Sequence, residues 1–156
     1  MNELPLQMPG RTCNIALVAA EFNQFIVQQL VDGAMDALSR NDVAGQNISL
    51  AWVPGAFELP LAADVLAASG KYDAVIALGA VIRGGTPHFD FVAGECSRGL
   101  ASVGLKHGLP VIFGVLTTDT VDQALERAGS GAGNKGFDTA VAALQMISLV
   151  DRLHVE

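Results

Sequence analysis

Residues 71–92 read KYDAVIALGAVIRGGTPHFDFV, and three kinds of local structure follow one another in that stretch. Asp73 to Ile82 is an apolar run of strand length, rich in valine and isoleucine. Arg83-Gly84-Gly85 breaks it. Thr86-Pro87-His88 then opens a helix. Thr86 reads as the N-cap and Pro87 as the first helical residue, where proline's fixed φ is already suitable. A strand apolar on both faces, followed at once by a helix, is the repeating unit of a parallel sheet covered by helices.

The unit recurs on both sides. Thr12 to Ala20 is a first strand. Ile26, Val27, Leu30, Val31, Ala34 and Leu38 then recur at spacings of three and four, which predicts a helix over Phe25 to Arg40 with Asn23 as its N-cap. Asn47 to Val53 is a second strand, ended by Pro54-Gly55. A helix follows over Phe57 to Ser69, with Pro60 in its first turn and Gly70 as its stop. The helix opened at Thr86 runs to about Lys106. Val111 to Leu116 is the fourth strand. Thr120 and Gln123 have the spacing of a capping box, so a short helix reaches Arg127. A glycine-rich link over residues 129–136 leads to a last helix, Phe137 to Leu153. Residues 1–10 read as a flexible arm, and residues 11–156 as a single domain. Right-handed crossovers leave few topologies for such an alternation. The expected fold is a flavodoxin-like three-layer α/β/α sandwich whose four-stranded parallel sheet has the order 2-1-3-4.

Composition narrows the function classes. Of 156 residues, 51% are hydrophobic and 16% charged, enough for one substantial core with apolar surface left over for contacts between subunits. The net charge of −7 argues against a nucleic acid or an anionic membrane as partner. Cys13 and Cys96 are far apart and read as reduced, partly buried thiols. There is no signal-peptide pattern, no membrane-length apolar run and no metal-ligand cluster, so a soluble cytoplasmic protein is expected, without metal.

Ligands of such sheets bind beyond the carboxyl ends of the strands. Phe22 follows the first strand, Ala56-Phe57-Glu58 the second, and Arg83 to His88 the third; Phe113 lies within the fourth. If the fold is right, these converge on one rim. Arg83-Gly84-Gly85-Thr86 before a helix is a plausible anion cradle, although ordinary strand-to-helix turns look alike. His88 falls in the first helical turn, where the positive helix end disfavours imidazolium and leaves a ring able to accept a proton. By position alone it is as easily a bystander. Phe22 is either core packing or a platform for a flat heterocycle. Glu58 either accepts from substrate hydroxyls or favours its helix end, and the helix role is the simpler one. His107 and His154, at a helix end and near the terminus, read as solvated surface residues. Gly131-Ala132-Gly133-Asn134-Lys135-Gly136 matches G-x-G-x-x-G. It follows a helix rather than a strand, so a nicotinamide site is rejected.

At these same residues the sequence resembles the 6,7-dimethyl-8-ribityllumazine synthase family. The matching segments are EFN at 21–23, WVPGAFELP at 52–60, the quoted stretch at 71–92, PVIFGVLTTDTVDQALERAG at 110–129 and GNKG at 133–136. The resemblance implies condensation of 5-amino-6-(D-ribitylamino)uracil with 3,4-dihydroxy-2-butanone 4-phosphate, without a cofactor, at the penultimate step of riboflavin biosynthesis. It implies that Phe22, Ala56, Phe57, Glu58, Ala80, Val81, Ile82 and Phe113 bind the ribitylaminouracil. Gly85, Thr86, Arg127 and Lys135 would bind the butanone phosphate, and His88 would transfer protons. It further implies a homo-oligomer built from pentamers, with the pocket between neighbouring subunits. Phe113, Arg127 and Lys135 would then act across that interface. The short link from Ala128 to Lys135 points, by the family's pattern, to an icosahedral shell that can enclose riboflavin synthase. Phe91 stands where many members have tyrosine, and Phe22 where some have tryptophan.

Two other classes compete. A shell protein of the same fold could have lost catalysis, but Phe22, Glu58, His88 and Arg127 are all present. A flavodoxin-like carrier of FMN would need a Ser/Thr/Gly run after the first strand, which Glu21-Phe22-Asn23 does not supply.

Overall fold

The computed structural model describes residues 1–129 and 133–154. Strands β1 (Ile15–Ala20), β2 (Ile48–Val53), β3 (Ala74–Ile82) and β4 (Val111–Thr118) form one parallel sheet in the order β2-β1-β3-β4. Helices α1 (Gln24–Arg40), α2 (Leu59–Ala68), α3 (His88–His107), α4 (Val121–Arg127) and α5 (Lys135–Leu153) complete it. This is the expected flavodoxin-like sandwich.

Alternation along the strands builds two cores. Ile15 and Leu17 of β1 and Ile76 and Leu78 of β3 point to one face, where Leu30 and Leu38 of α1 and Leu144 and Ile147 of α5 cover them. Ala16, Val18, Val75 and Ala77 point to the other, against Leu59 of α2 and Cys96 and Leu100 of α3. Each fully buried leucine or isoleucine contributes roughly 1.5–3 kcal/mol relative to exposure. Cys13 and Cys96 are buried and unbridged, and burial pushes the Cys96 thiol up to about 11, so it is inert as a nucleophile near neutrality.

Several local expectations shift. Only the inner strands β1 and β3 are buried almost throughout; β2, at the edge, leaves Ser49, Leu50 and Ala51 exposed. Asn23 precedes α1, but its backbone is left-handed, with φ 63°, and its side chain makes no cap bond. Ala56–Glu58 forms a separate 3-10 turn, so α2 starts at Leu59 rather than Phe57. Pro87, not Thr86, holds the N-cap position of α3, and the Thr86 hydroxyl accepts the His88 N–H at 3.4 Å. β4 runs two residues past Leu116 because Thr117 and Thr118 still pair with Val81 and Ile82. The capping box holds: Gln123 N–H donates to Thr120 Oγ1 at 3.1 Å, and Gln123 Oε1 accepts the Thr120 N–H. Lys135 and Gly136, read as link, are already the first residues of α5. Residues 130–132 of that link, including Gly131 and Ala132 of the rejected fingerprint, lie outside the described residues.

His107 is not a solvated residue. Its Nε2 lies 2.7 Å from Asp64 Oδ1, joining α3 to α2, and this contact holds the Asp64 carboxyl below its usual range. Residues 1–9 form neither helix nor strand; Arg152 Nη2 donates to the Pro5 carbonyl at 2.7 Å. Among the described residues, no helix is long and apolar enough to cross a membrane.

Candidate functional site

The carboxyl ends of β1, β2 and β3 surround a cavity of about 660 Å³, a size suited to a small organic molecule. β1 stops at Ala20, yet the chain stays beside β2: the Glu21 and Phe22 N–H groups donate to the Val53 and Pro54 carbonyls at 2.8 and 3.0 Å. The ladder therefore delivers the Phe22 ring to the cavity edge, where it is 71% exposed. That exposure favours a stacking platform over core packing. Asn23 then turns the chain, and its Nδ2 donates to the Ala80 carbonyl at 2.8 Å. The Phe22 loop and the end of β3 are thereby tied across the cavity mouth.

Opposite Phe22, the turn Ala56–Glu58 supplies the second wall. Glu58 immediately precedes α2 but makes no side-chain cap bond, and its side chain lines the cavity instead. Ala80, Val81 and Ile82 form the floor, and Gly84, Thr86 and His88 lie at the start of α3. Gly85 sits between two lining residues without lining the cavity itself.

Sequence reasoning missed Phe89, Phe91 and Val92 as lining residues. Aromatic and aliphatic residues in a first helical turn read as packing, and nothing in their spacing marks a cavity wall. Arg83 departs from the anion-cradle reading. Its Nε donates to Asp119 Oδ1 at 2.9 Å, its Nη2 lies 3.7 Å from Asp90 Oδ1, and its guanidinium lies 4.5 Å from the Phe89 ring centre. It fastens the start of α3 to the β4–α4 turn.

The remaining residues lie elsewhere. Phe113, Arg127 and Lys135 line a second depression of about 570 Å³, with Thr117, Glu126, Asn134 and Asp138. Phe113 pairs with Ala77, whereas Ile82 pairs with Thr118. Phe113 is therefore roughly 16 Å down the edge strand from the rim, at ~3.3 Å per residue. The expectation of convergence on one rim is corrected for Phe113: within one chain it lines this separate depression with Arg127 and Lys135. Arg127 Nη1 donates to the Gln123 carbonyl at 3.2 Å. Among the described residues, neither Arg127 nor Lys135 takes part in an ion pair. Two cations without carboxylate partners suit an anionic group.

Chemically, the first cavity offers an aromatic face, backbone groups at a strand end, one carboxylate and one imidazole. The second offers an aromatic ring, two cations and the carboxylates of Glu126 and Asp138. No group of histidines, cysteines and carboxylates among the described residues could hold a metal ion. A family model described as 6,7-dimethyl-8-ribityllumazine synthase matches residues 12–151.

Proposed function

The chain belongs to the 6,7-dimethyl-8-ribityllumazine synthase family, a family of riboflavin-biosynthesis enzymes acting on small molecules, and from that premise we propose the reaction it performs. It condenses 5-amino-6-(D-ribitylamino)uracil with 3,4-dihydroxy-2-butanone 4-phosphate, releasing 6,7-dimethyl-8-ribityllumazine, phosphate and two waters. The observation that carries this reading is the meeting of Phe22, Glu58, Ala80 to Ile82, Thr86 and His88 around one cavity. A flat pyrimidine stacks on Phe22, its edge meets the strand-end backbone groups, and Glu58 accepts from ribityl hydroxyls. Gly85, Thr86, Arg127 and Lys135 take the phosphate.

The substrate's primary amine attacks the ketone, and loss of water gives an imine. Phosphate leaves, the resulting enol tautomerises to a ketone, and the second amine closes the ring with loss of another water. Little covalent chemistry is asked of the protein. Holding two reactants in register supplies most of the acceleration, up to roughly 7–11 kcal/mol for ideal orientation. Proton transfer through His88 adds a smaller factor, typically ~10²–10⁴.

The two depressions are read as halves of one site. Phe57, Leu61 and Val65 are spaced four apart, run from the cavity edge along α2, and are 58%, 71% and 62% exposed. Such a stripe favours burial against another copy. A neighbouring copy would then bring Phe113, Arg127 and Lys135 to the rim, in a ring of pentameric type or a shell built from such rings. Riboflavin synthase as an enclosed partner and a cytoplasmic location are part of the same proposal.

The direct test mixes the two substrates with the protein and follows lumazine absorbance; no absorbance from an intact assembly sinks the reading. His88→Ala is expected to lower kcat by about a hundredfold or more while leaving residual turnover, because orientation survives the loss of one proton-transfer group. Complete inactivity with unchanged assembly contradicts that weighting. Arg127→Ala is expected to raise KM for the butanone phosphate by about tenfold or more, as loss of a charge-assisted pair predicts. Unchanged saturation by that substrate removes Arg127 from the site.

A further inference from the structure

The stretch Gly133-Asn134-Lys135-Gly136 has a role only for Lys135 once the nicotinamide reading is set aside. Its asparagine carries three hydrogen bonds to three elements. Asn134 Oδ1 accepts the Phe137 N–H at 3.0 Å, which caps α5. Asn134 Nδ2 donates to the Ala128 carbonyl at 2.9 Å, just past the end of α4, and to the Gln29 carbonyl of α1 at 3.0 Å. A backbone bridge pairs Ala128 with Asn134. The surroundings are shaped to the amide: a Cβ on Gly33 would lie 2.1 Å from Asn134 Oδ1.

Capping alone requires only the acceptor, and serine, threonine or aspartate serves as well. The two donor bonds exceed that need, and only an amide provides acceptor and donors together at this reach. Their position in the chain gives them a purpose. Ala128 follows Arg127, and Lys135 follows Asn134. One side chain thus ties the residue beside one cation to the residue beside the other, and pins both to α1. Arg127 ends a helix of 7 residues, which frays readily without such a tie.

We propose that Asn134 is a positioning residue for the anion half-site, fixing the backbones of Arg127 and Lys135 so that both cations address one phosphate. This rests on the reading of those two side chains as phosphate ligands. Asn134 lines the same depression, but its amide is committed to the Gln29 and Ala128 carbonyls and the Phe137 N–H, so it acts through its neighbours.

The test uses Asn134→Ser and Asn134→Asp in the assembled enzyme. Both keep an N-cap acceptor and lose the two donors; serine also avoids setting a carboxylate against two carbonyls, so it decides if the aspartate variant does not assemble. KM for the butanone phosphate, and the inhibition constant of inorganic phosphate, are expected to rise about tenfold or more, since small displacements of binding groups act on that scale. KM for the ribitylaminouracil and kcat at saturation stay within about twofold, the signature of binding lost at one substrate alone. A fall in all parameters together reveals a merely structural cap and overturns the inference. So does an unchanged phosphate KM in both variants while Arg127→Ala, measured in parallel, raises it. If Arg127→Ala itself changes nothing, the phosphate reading has failed and the inference falls with it.

Discussion

Gly136→Ala is expected to cost the chain about 3 kcal/mol or more of its stability. A Cβ on Gly136 would lie 1.9 Å from the Leu30 carbonyl oxygen and 2.7 Å from its carbon. Both are backbone atoms of α1, so no side-chain rotation relieves the clash. α5 would have to lift from α1, and Leu144 and Ile147 would lose their packing against Leu30 and Leu38. Overpacking ordinarily costs roughly 1–3 kcal/mol, and a contact this short with rigid backbone belongs at or above the top of that range. Against a total stability of about 5–15 kcal/mol, that is a large share. Gly133→Ala is the matched control, because a Cβ there meets nothing within 4 Å. Denaturant midpoints of the two variants measure the difference. A Gly136→Ala protein within about 0.5 kcal/mol of the parent, the range of ordinary surface changes, contradicts the packing argument. The same clash accounts for the last glycine of the false fingerprint: it serves close packing of α5 on α1, where the third glycine of the dinucleotide motif serves packing of a helix on a strand.

What the sequence made legible was whatever depends on near neighbours. The Thr120–Gln123 capping box is a spacing of three, and it forms as read. The apolar runs of β1 and β3 carry their own burial. What it concealed depends on distant partners. Asn23 has the residue type of an N-cap, but the Ala80 carbonyl 57 positions away takes its side chain. Arg83 looks like an anion ligand beside two glycines until Asp119, 36 positions on, engages it. His107 looks solvated until Asp64, 43 positions back, is folded against it. β2 is nearly as apolar as an inner strand, and what set it at an edge beforehand was the expected order 2-1-3-4, not its composition. In the candidate site, Phe22, Glu58 and His88 could be picked out because each lies at an element's end or within two residues of one. Phe89 and Phe91 could not, since a wall residue and a core residue have the same chemistry. The rim argument also failed for Phe113, because being on a strand does not say how far along it the cavity lies.

Two disabled forms of the protein are expected to restore each other. Glu58→Lys spoils the cavity at the strand ends, and Arg127→Glu combined with Lys135→Glu spoils the depression beside β4; each form alone should show almost no lumazine formation. In a head-to-tail ring, every site takes one half from each of two neighbours, so random mixing leaves about a quarter of the sites with both halves intact. Refolding or co-expressing the two forms together should therefore return activity toward about a quarter of the parent's value, against near zero for either alone. The physical basis is the separation of the halves. Phe113 lies far down β4 from Ile82 and Thr118, and the two cations line a depression that shares no residue with the cavity holding His88. Within one chain the two linings share no residue, so on the proposed reading a single substrate pair draws its two halves from two copies. The exposed Phe57, Leu61 and Val65 stripe offers the second copy an apolar surface to settle on. The controls are the masses of the homogeneous and mixed assemblies, which must agree. If both halves instead served one chain's own site, no subunit in the mixture would be intact. Activity would then stay at the level of the disabled forms, however thoroughly they were mixed.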